Sequence, residues 1–145
     1  MIKRNLILGL TTFALGLTMS ACAEAPAPDA APEPVEGGAE VVVVDDASFL
    51  ALTEGGYTVV DFWAGWCAPC RSFAPVFRAV AAAHTGPVRF GACDVEANPQ
   101  TSALLGITSI PTLVVFGPDG SEVGRSQGVV SRGDLEATVA QLSRR

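Results

Sequence analysis

The run "YTVVDFWA", residues 57–64, is β-branched and aromatic, and it leads almost directly into "WCAPC". That junction constrains the chain more than any other feature. The first run reads as a central strand. From residue 67 to residue 83 apolar residues recur at helical spacing, with Pro75 inside, where a missing N–H should kink the helix. Cys67 and Cys70 therefore stand where a strand gives way to a helix. Backbone N–H groups at a helix start are unpaired and carry partial positive charge, which stabilises a thiolate on Cys67. Ala68 and Pro69 fit a tight turn that brings Cys70 within reach. Cys67 can then attack a substrate disulfide, and Cys70 can resolve the mixed disulfide.

Two thiols at this spacing also form half of many zinc sites. A structural zinc needs four ligands, commonly two close pairs. With Cys22 set aside, Cys93 and the single histidine, His84, remain, and they form no second pair. No metal and no cofactor is expected. One histidine also leaves little for a Ser/His/Asp triad, and no glycine-rich phosphate loop is present. The net charge of −6 offers no basic stripe, which argues against nucleic acid as a partner.

The remaining pattern is alternating. "VVVV" (41–44) reads as a short strand, and "DDASFLALTEGG" as a helix capped by Asp45 or Asp46 and stopped at Gly55 and Gly56. "GPVRFGACDV" is a strand, and "NPQTSALLG" a short helix opened by Asn98 and Pro99. "TLVVF" (112–116), the turn "GPDG" and "SEVGRSQGVV" form a hairpin. "SRGDLEATVAQL" is a final helix with Ser131 at its N-cap and Asp134 three residues on. The order βαβαβαββα implies an α/β domain with a mixed sheet and helices on both faces. The charges of Arg125, Arg132, Arg144 and Arg145 read as solvated surface, Cys93 as a small core residue and His84 as a helix end.

The segment "VVDFWAGWCAPCRSFAP" resembles the active-site segment of the thioredoxin family. "GITSIPTLVVF", about forty residues on, is similar to that family's second hallmark. The resemblance spans nearly all of residues 41–145 and implies the thioredoxin fold. It implies a cis bond before Pro111, with Ile110 facing the Cys pair and offering its backbone to a substrate chain. Gly128 in "SQGVV" resembles the glycine lining the same groove. Trp66 would contribute exposed contact surface. By the same resemblance Asp61 is buried behind the Cys pair as proton acceptor for Cys70, with a raised pKa. Two positions depart from the family pattern. Ala68 replaces the usual glycine, which bears on redox potential. Ala92 stands where the family often has a lysine near its buried acid.

Residues 1–21 carry Lys3 and Arg4 and then an uncharged, mostly apolar run from Leu6 to Ala21, the pattern of a secretory signal. "TMSAC" resembles the lipobox of bacterial lipoproteins, with Met19 where leucine is commonest. That reading makes Cys22 the lipidated mature N-terminus and attaches the protein to a membrane. An ordinary signal peptide or an uncut anchor is the alternative. Residues 22–40 are a Pro/Ala/Glu-rich spacer of extended character, about 3 Å per residue. Residues 41–145 form the folded domain. The expected location is the cell envelope on its extracytoplasmic, periplasmic side. Ala23 in place of the aspartate linked to inner-membrane retention favours the outer membrane.

The expected activity is thiol–disulfide exchange on disulfide-containing exported proteins, in the direction of reduction. A membrane thiol-electron carrier would re-reduce the pair, since soluble cytosolic reductants do not reach it. Two alternatives are a dedicated reductant for cytochrome c maturation and a non-redox binding or holdase module. The short stretch between the Cys helix and Pro111 argues against the first, and the intact Cys pair against the second.

Overall fold

The strand entering the junction, β2 (Thr58–Trp63), is buried along all but its last residue. It therefore lies in the middle of the sheet. The structure is a computed structural model and describes residues 38–145. The expectations for residues 1–21, for Cys22 and for most of the spacer lie outside the described residues.

Nine elements follow in the expected order. They are β1 (Val41–Val44), α1 (Phe49–Thr53), β2, α2 (Ala68–Ala83), β3 (Arg89–Asp94), α3 (Pro99–Leu104), β4 (Thr112–Phe116), β5 (Glu122–Gln127) and α4 (Arg132–Leu142). The sheet order is β1-β3-β2-β4-β5. β1 and β2 run parallel to β3, whereas β4 is antiparallel to β2 and to β5. The sheet is mixed, with parallel pairing on both sides of β3 and antiparallel pairing of β4 with β2 and, at the hairpin, with β5.

Two apolar layers sandwich the sheet. On one face, Phe73, Phe77, Val80 and Ala81 of α2 join Leu135, Val139 and Leu142 of α4 over Val59, Phe90 and Leu113. Each helix presents residues spaced by three or four, the stripe of an amphipathic helix. Phe77 meets Phe90 edge-on at 5.7 Å between ring centroids. The other face gathers Phe49, Val60, Phe62, Cys93, Val114 and Phe116, with Leu52, Leu105 and Ile107 packed against them. Ahead of β1, the Ala39 N–H donates to the carbonyls of Ala81 and His84, fastening the chain to the end of α2.

Several local expectations change. Helix α1 begins at Phe49, and neither Asp45 nor Asp46 caps it. Asp45 instead folds the preceding turn, its Oδ1 accepting from the N–H groups of Ala47 (3.1 Å) and Ser48 (2.7 Å). Asp46 reaches across to α3, accepting from the N–H groups of Thr101 (2.8 Å) and Gln100 (3.3 Å). It caps a helix more than fifty residues away, so Asn98 does not need to. The Asn98 side chain is buried and donates to the carbonyls of Val44 and Asp94 while accepting from the Asp46 N–H. It thereby joins the ends of β1 and β3 to the start of α3. Helix α2 continues unbroken through Pro75, which is exposed. The Arg71 carbonyl left without its helical donor can be hydrated on that side, so the helix tolerates the proline. At α4 the Ser131 hydroxyl accepts from the Asp134 N–H as expected. Strand β5 stops at Gln127, three residues before the end of the expected run.

Asn98→Ala would deprive the part-buried Asp46 N–H and the Val44 carbonyl of their side-chain partner, while the Asp94 carbonyl keeps the backbone N–H of residue 98. The expected cost is about 1–3 kcal/mol, read as a lower urea midpoint with an unchanged slope.

Candidate active site

Cys67 occupies the N-cap position of α2 with extended backbone (φ −79°, ψ 102°). Its N–H donates to the Ala64 carbonyl at 3.1 Å, and its own carbonyl accepts the first helical bond, from Arg71. Its sulfur accepts from the Cys70 N–H at 3.2 Å. Pro69 falls in the first turn, where a backbone N–H has no helical partner to lose. No acidic residue lies in that turn. The Arg71 guanidinium donates to the Gly65 carbonyl at 2.8 Å, joining the first turn of α2 to the segment before it. Cys67 and Cys70 are joined by a disulfide, with Cα atoms 5.3 Å apart. The structure is thus the oxidised form.

Ala64, Cys67 and Cys70 form a small cluster with Trp63, Val95 and Ile110 packed against it. Trp66 is 67% exposed beside it. The Ile110–Pro111 bond is cis. Among the described residues, the Ile110 main chain makes no backbone hydrogen bond. The Pro111 carbonyl accepts from the Gly128 N–H at 2.8 Å, which brings Gly128 next to the loop. Gly128 has φ +86°, and a Cβ there would meet nothing within 4 Å. Glycine is needed at that point for its backbone conformation rather than for space. Five of the sequence-selected residues, Trp66, Cys67, Cys70, Ile110 and Pro111, thus gather directly, and Gly128 joins through one hydrogen bond. The sequence reading did not single out Val129, which is 57% exposed next to Gly128; a valine that faces solvent is indistinguishable in sequence from one in the core.

Asp61 is 3% exposed. Alternation along β2 places it on the face of Val59, the face that α2 covers. Its partners in register are Ala92 on β3 and Leu113 on β4. Neither can donate to it from a side chain, and Oδ1 is the one buried side-chain polar atom without a partner among the described residues. Burial alone pushes its carboxyl up to about 7. The absent lysine has a direct counterpart here, because the position beside the acid holds a methyl group.

The other candidates are structural. Cys93 is buried on the opposite face, where burial first, and then the carboxylates of Asp46, Asp94 and Asp45, push its thiol up to about 11. His84 is the C-cap of α2, set edge-on against Phe90, and burial lowers its pKa. Among the described residues, no three of His, Cys, Asp and Glu gather as a metal site would require.

The thioredoxin family model matches residues 40–141. The chain belongs to the thioredoxin family. It is 42% identical over 95 residues to the thioredoxin of Staphylococcus aureus, covering 66% of this chain and 90% of that protein. Among solved structures, Malassezia sympodialis thioredoxin superposes with a TM-score of 0.67 at 32% identity, over 72% of this chain and 92% of that one. A mutant thioredoxin from Halobacterium salinarum shares the fold, with a TM-score of 0.66 at 24% identity over 72% and 91% of the two chains. The family and the paired cysteines make this protein a thiol–disulfide oxidoreductase.

The raised Asp61 pKa fixes the sign of a pH effect. Below about pH 4 the carboxyl is protonated both folded and unfolded, and it imposes no penalty. Between about 4 and about 7 the folded form holds a proton that the unfolded form has lost, so stability falls as pH rises, by up to roughly 4 kcal/mol. Above about 7 the loss is complete. Chemical denaturation of the oxidised protein across this range should show the decline, and Asp61→Asn should flatten it. Ala92→Lys should place an ammonium beside the acid and lower its pKa, as read by NMR titration of the carboxyl carbon.

Proposed function

We propose that this thioredoxin domain reduces disulfides in exported proteins from a lipid anchor on Cys22, with its electrons supplied by a membrane thiol carrier. The observation that carries the reading is the placement of Cys67 at the N-cap of α2, linked to Cys70 and bordered by Ile110. In the reduced protein the Cys67 thiolate attacks one sulfur of the substrate disulfide. A mixed disulfide forms, and the first substrate sulfur leaves as a thiolate. Asp61 takes the proton from Cys70, for which a carboxylate titrating near 7 is suited. The Cys70 thiolate then attacks Cys67, the second substrate sulfur leaves, and the Cys67–Cys70 disulfide of the structure remains. Two electrons pass from the dithiol to the substrate.

The surface around the pair suits an extended chain. Ile110 has a free main chain for pairing, and Trp66, next to Cys67, and Val129, next to Gly128, are exposed apolar side chains. Pro111 and Gly128 shape the loop between them. Ile110 ahead of Pro111 and the Cys-Ala-Pro-Cys pair support the reducing direction. The export reading is supported by the signal-like residues 1–21, the lipobox resemblance at Cys22 and the Pro-rich spacer to residue 40.

Cys70→Ser should accumulate mixed disulfides with envelope proteins, resolvable on non-reducing gels and absent in the Cys67→Ser variant. Acid-quenched alkylation of whole cells should find the pair mostly reduced, and a mostly oxidised pair would reverse the direction. Cys22→Ser should release the protein from the membrane fraction and abolish fatty-acid labelling. Labelling that is absent in the wild type would remove the lipid anchor from the account.

A further inference from the structure

The loop from Leu105 to Pro111 carries Ile110 to the disulfide, and both of its ends are tied to β5. At its far end the Gly128 N–H, just past β5, donates to the Pro111 carbonyl at 2.8 Å. At its near end Arg125 donates through Nη2 to the Leu105 carbonyl at 2.7 Å and through Nη1 to the Gly106 carbonyl at 3.5 Å. Leu105 is the C-cap of α3, and Gly106 follows it with φ +59°. Carbonyls at a helix end lack helical donors, so a cationic fork suits them. Glu122 aims that fork, its two oxygens accepting from Arg125 Nε at 2.9 Å and Nη2 at 2.8 Å. The sequence reading of Arg125 as simple solvated surface is therefore corrected. Its guanidinium is engaged on two sides, by carbonyls twenty residues away and by a neighbouring carboxylate.

Between the two ties Ile107 packs into the core and donates its N–H to the Ser102 carbonyl at 2.9 Å, and the Ser109 carbonyl accepts from the Thr112 hydroxyl at 2.7 Å. Thr108 and Ser109 are exposed, and Ile110 is only partly buried. We propose that Arg125 is a positioning residue for protein substrates, fixing the loop so that the Ile110 main chain is ready to pair with an extended segment. This role rests on the reading of that loop as the substrate edge. Without the tie, the Leu105 and Gly106 carbonyls lose that anchor, and more of the loop's ordering falls to substrate binding, which weakens it. The thiol chemistry is spared, because Cys67 is carried by β2 and α2 rather than by β5. A small disulfide, which needs no main-chain partner, should not sense the change.

The test compares wild type, Arg125→Ala and Arg125→Lys in the reduction of insulin and of a small aromatic disulfide. Arg125→Ala should raise KM for insulin about three- to tenfold, the loss of one or two exposed charged hydrogen bonds. Its kcat, and its rate with the small disulfide, should stay within about twofold of wild type. Arg125→Lys, which can reach one carbonyl, should recover part of the loss. If Arg125→Ala fails to fold, Glu122→Gln, which leaves the fork unaimed, should show a smaller rise in the same direction. An unchanged insulin KM in the folded variants, or equal slowing with both substrates, overturns the role of Arg125 while leaving the substrate loop intact. A wild type that reduces the small disulfide but not insulin overturns the substrate-loop reading and this role together.

Discussion

Everything at the site depends on the packing of α2 across β2 and β3. Phe73 and Phe77 press onto Val59, Phe90 and Leu113, with Val80 and Ala81 extending the contact. Each buried phenylalanine contributes roughly 1.5–3 kcal/mol. A helix of this length has little stability of its own in water. The sheet therefore decides where it starts, and the start is where β2 ends, four residues on from Trp63. Cys67 is at the N-cap because the apolar stripe downstream leaves it nowhere else to be.

The same packing exacts a cost beneath it. Covering β2 with α2 buries Asp61 against Ala92 and Leu113, with one oxygen lacking any partner. A valine there would be more stable but could not play the proton-accepting part proposed for Asp61. The chain keeps the carboxyl and leaves it unpaired, and the absence of a neighbouring cation lets burial act on it unopposed. Instability and a raised pKa are two consequences of one placement. On the other side of the pair, the loop carrying Ile110 is held by the packing of Leu105 and Ile107 in the core, by Ile110 against the disulfide, and by hydrogen bonds to Arg125 and Gly128. The disulfide thus sits at a packed strand–helix junction, beside a loop fastened to Arg125 and Gly128 at its two ends.

Much of this was legible in the sequence. Element order followed from period and breakers, and the strand–CxxC–helix junction located the chemistry before any fold was known. The Ser131 cap was local and was read correctly, since it spans three residues. Contacts between distant segments were not legible. Asp46 sits at a plausible helix start yet caps α3, and Asn98 spends its side chain on β1 and β3. Arg125 lies in a stretch of exposed residues, and nothing nearby in the chain points to the carbonyls of Leu105 and Gly106. Such roles depend on which segments the sheet order brings together, and a sequence pattern does not carry that order. The depth of Asp61 was available through family resemblance, whereas its alternation along β2 alone allowed a solvent-facing acid.

The central claim is that the start of α2 makes Cys67 the reactive thiol. The direct measurement is the alkylation rate of each cysteine in the fully reduced protein from about pH 5 to about pH 9, resolved by peptide mass mapping. Cys67 should react first across that range, with an apparent pKa below the free-thiol value of about 8.5, and Cys70 should lag behind it. Equal rates for the two thiols at every pH would contradict the account.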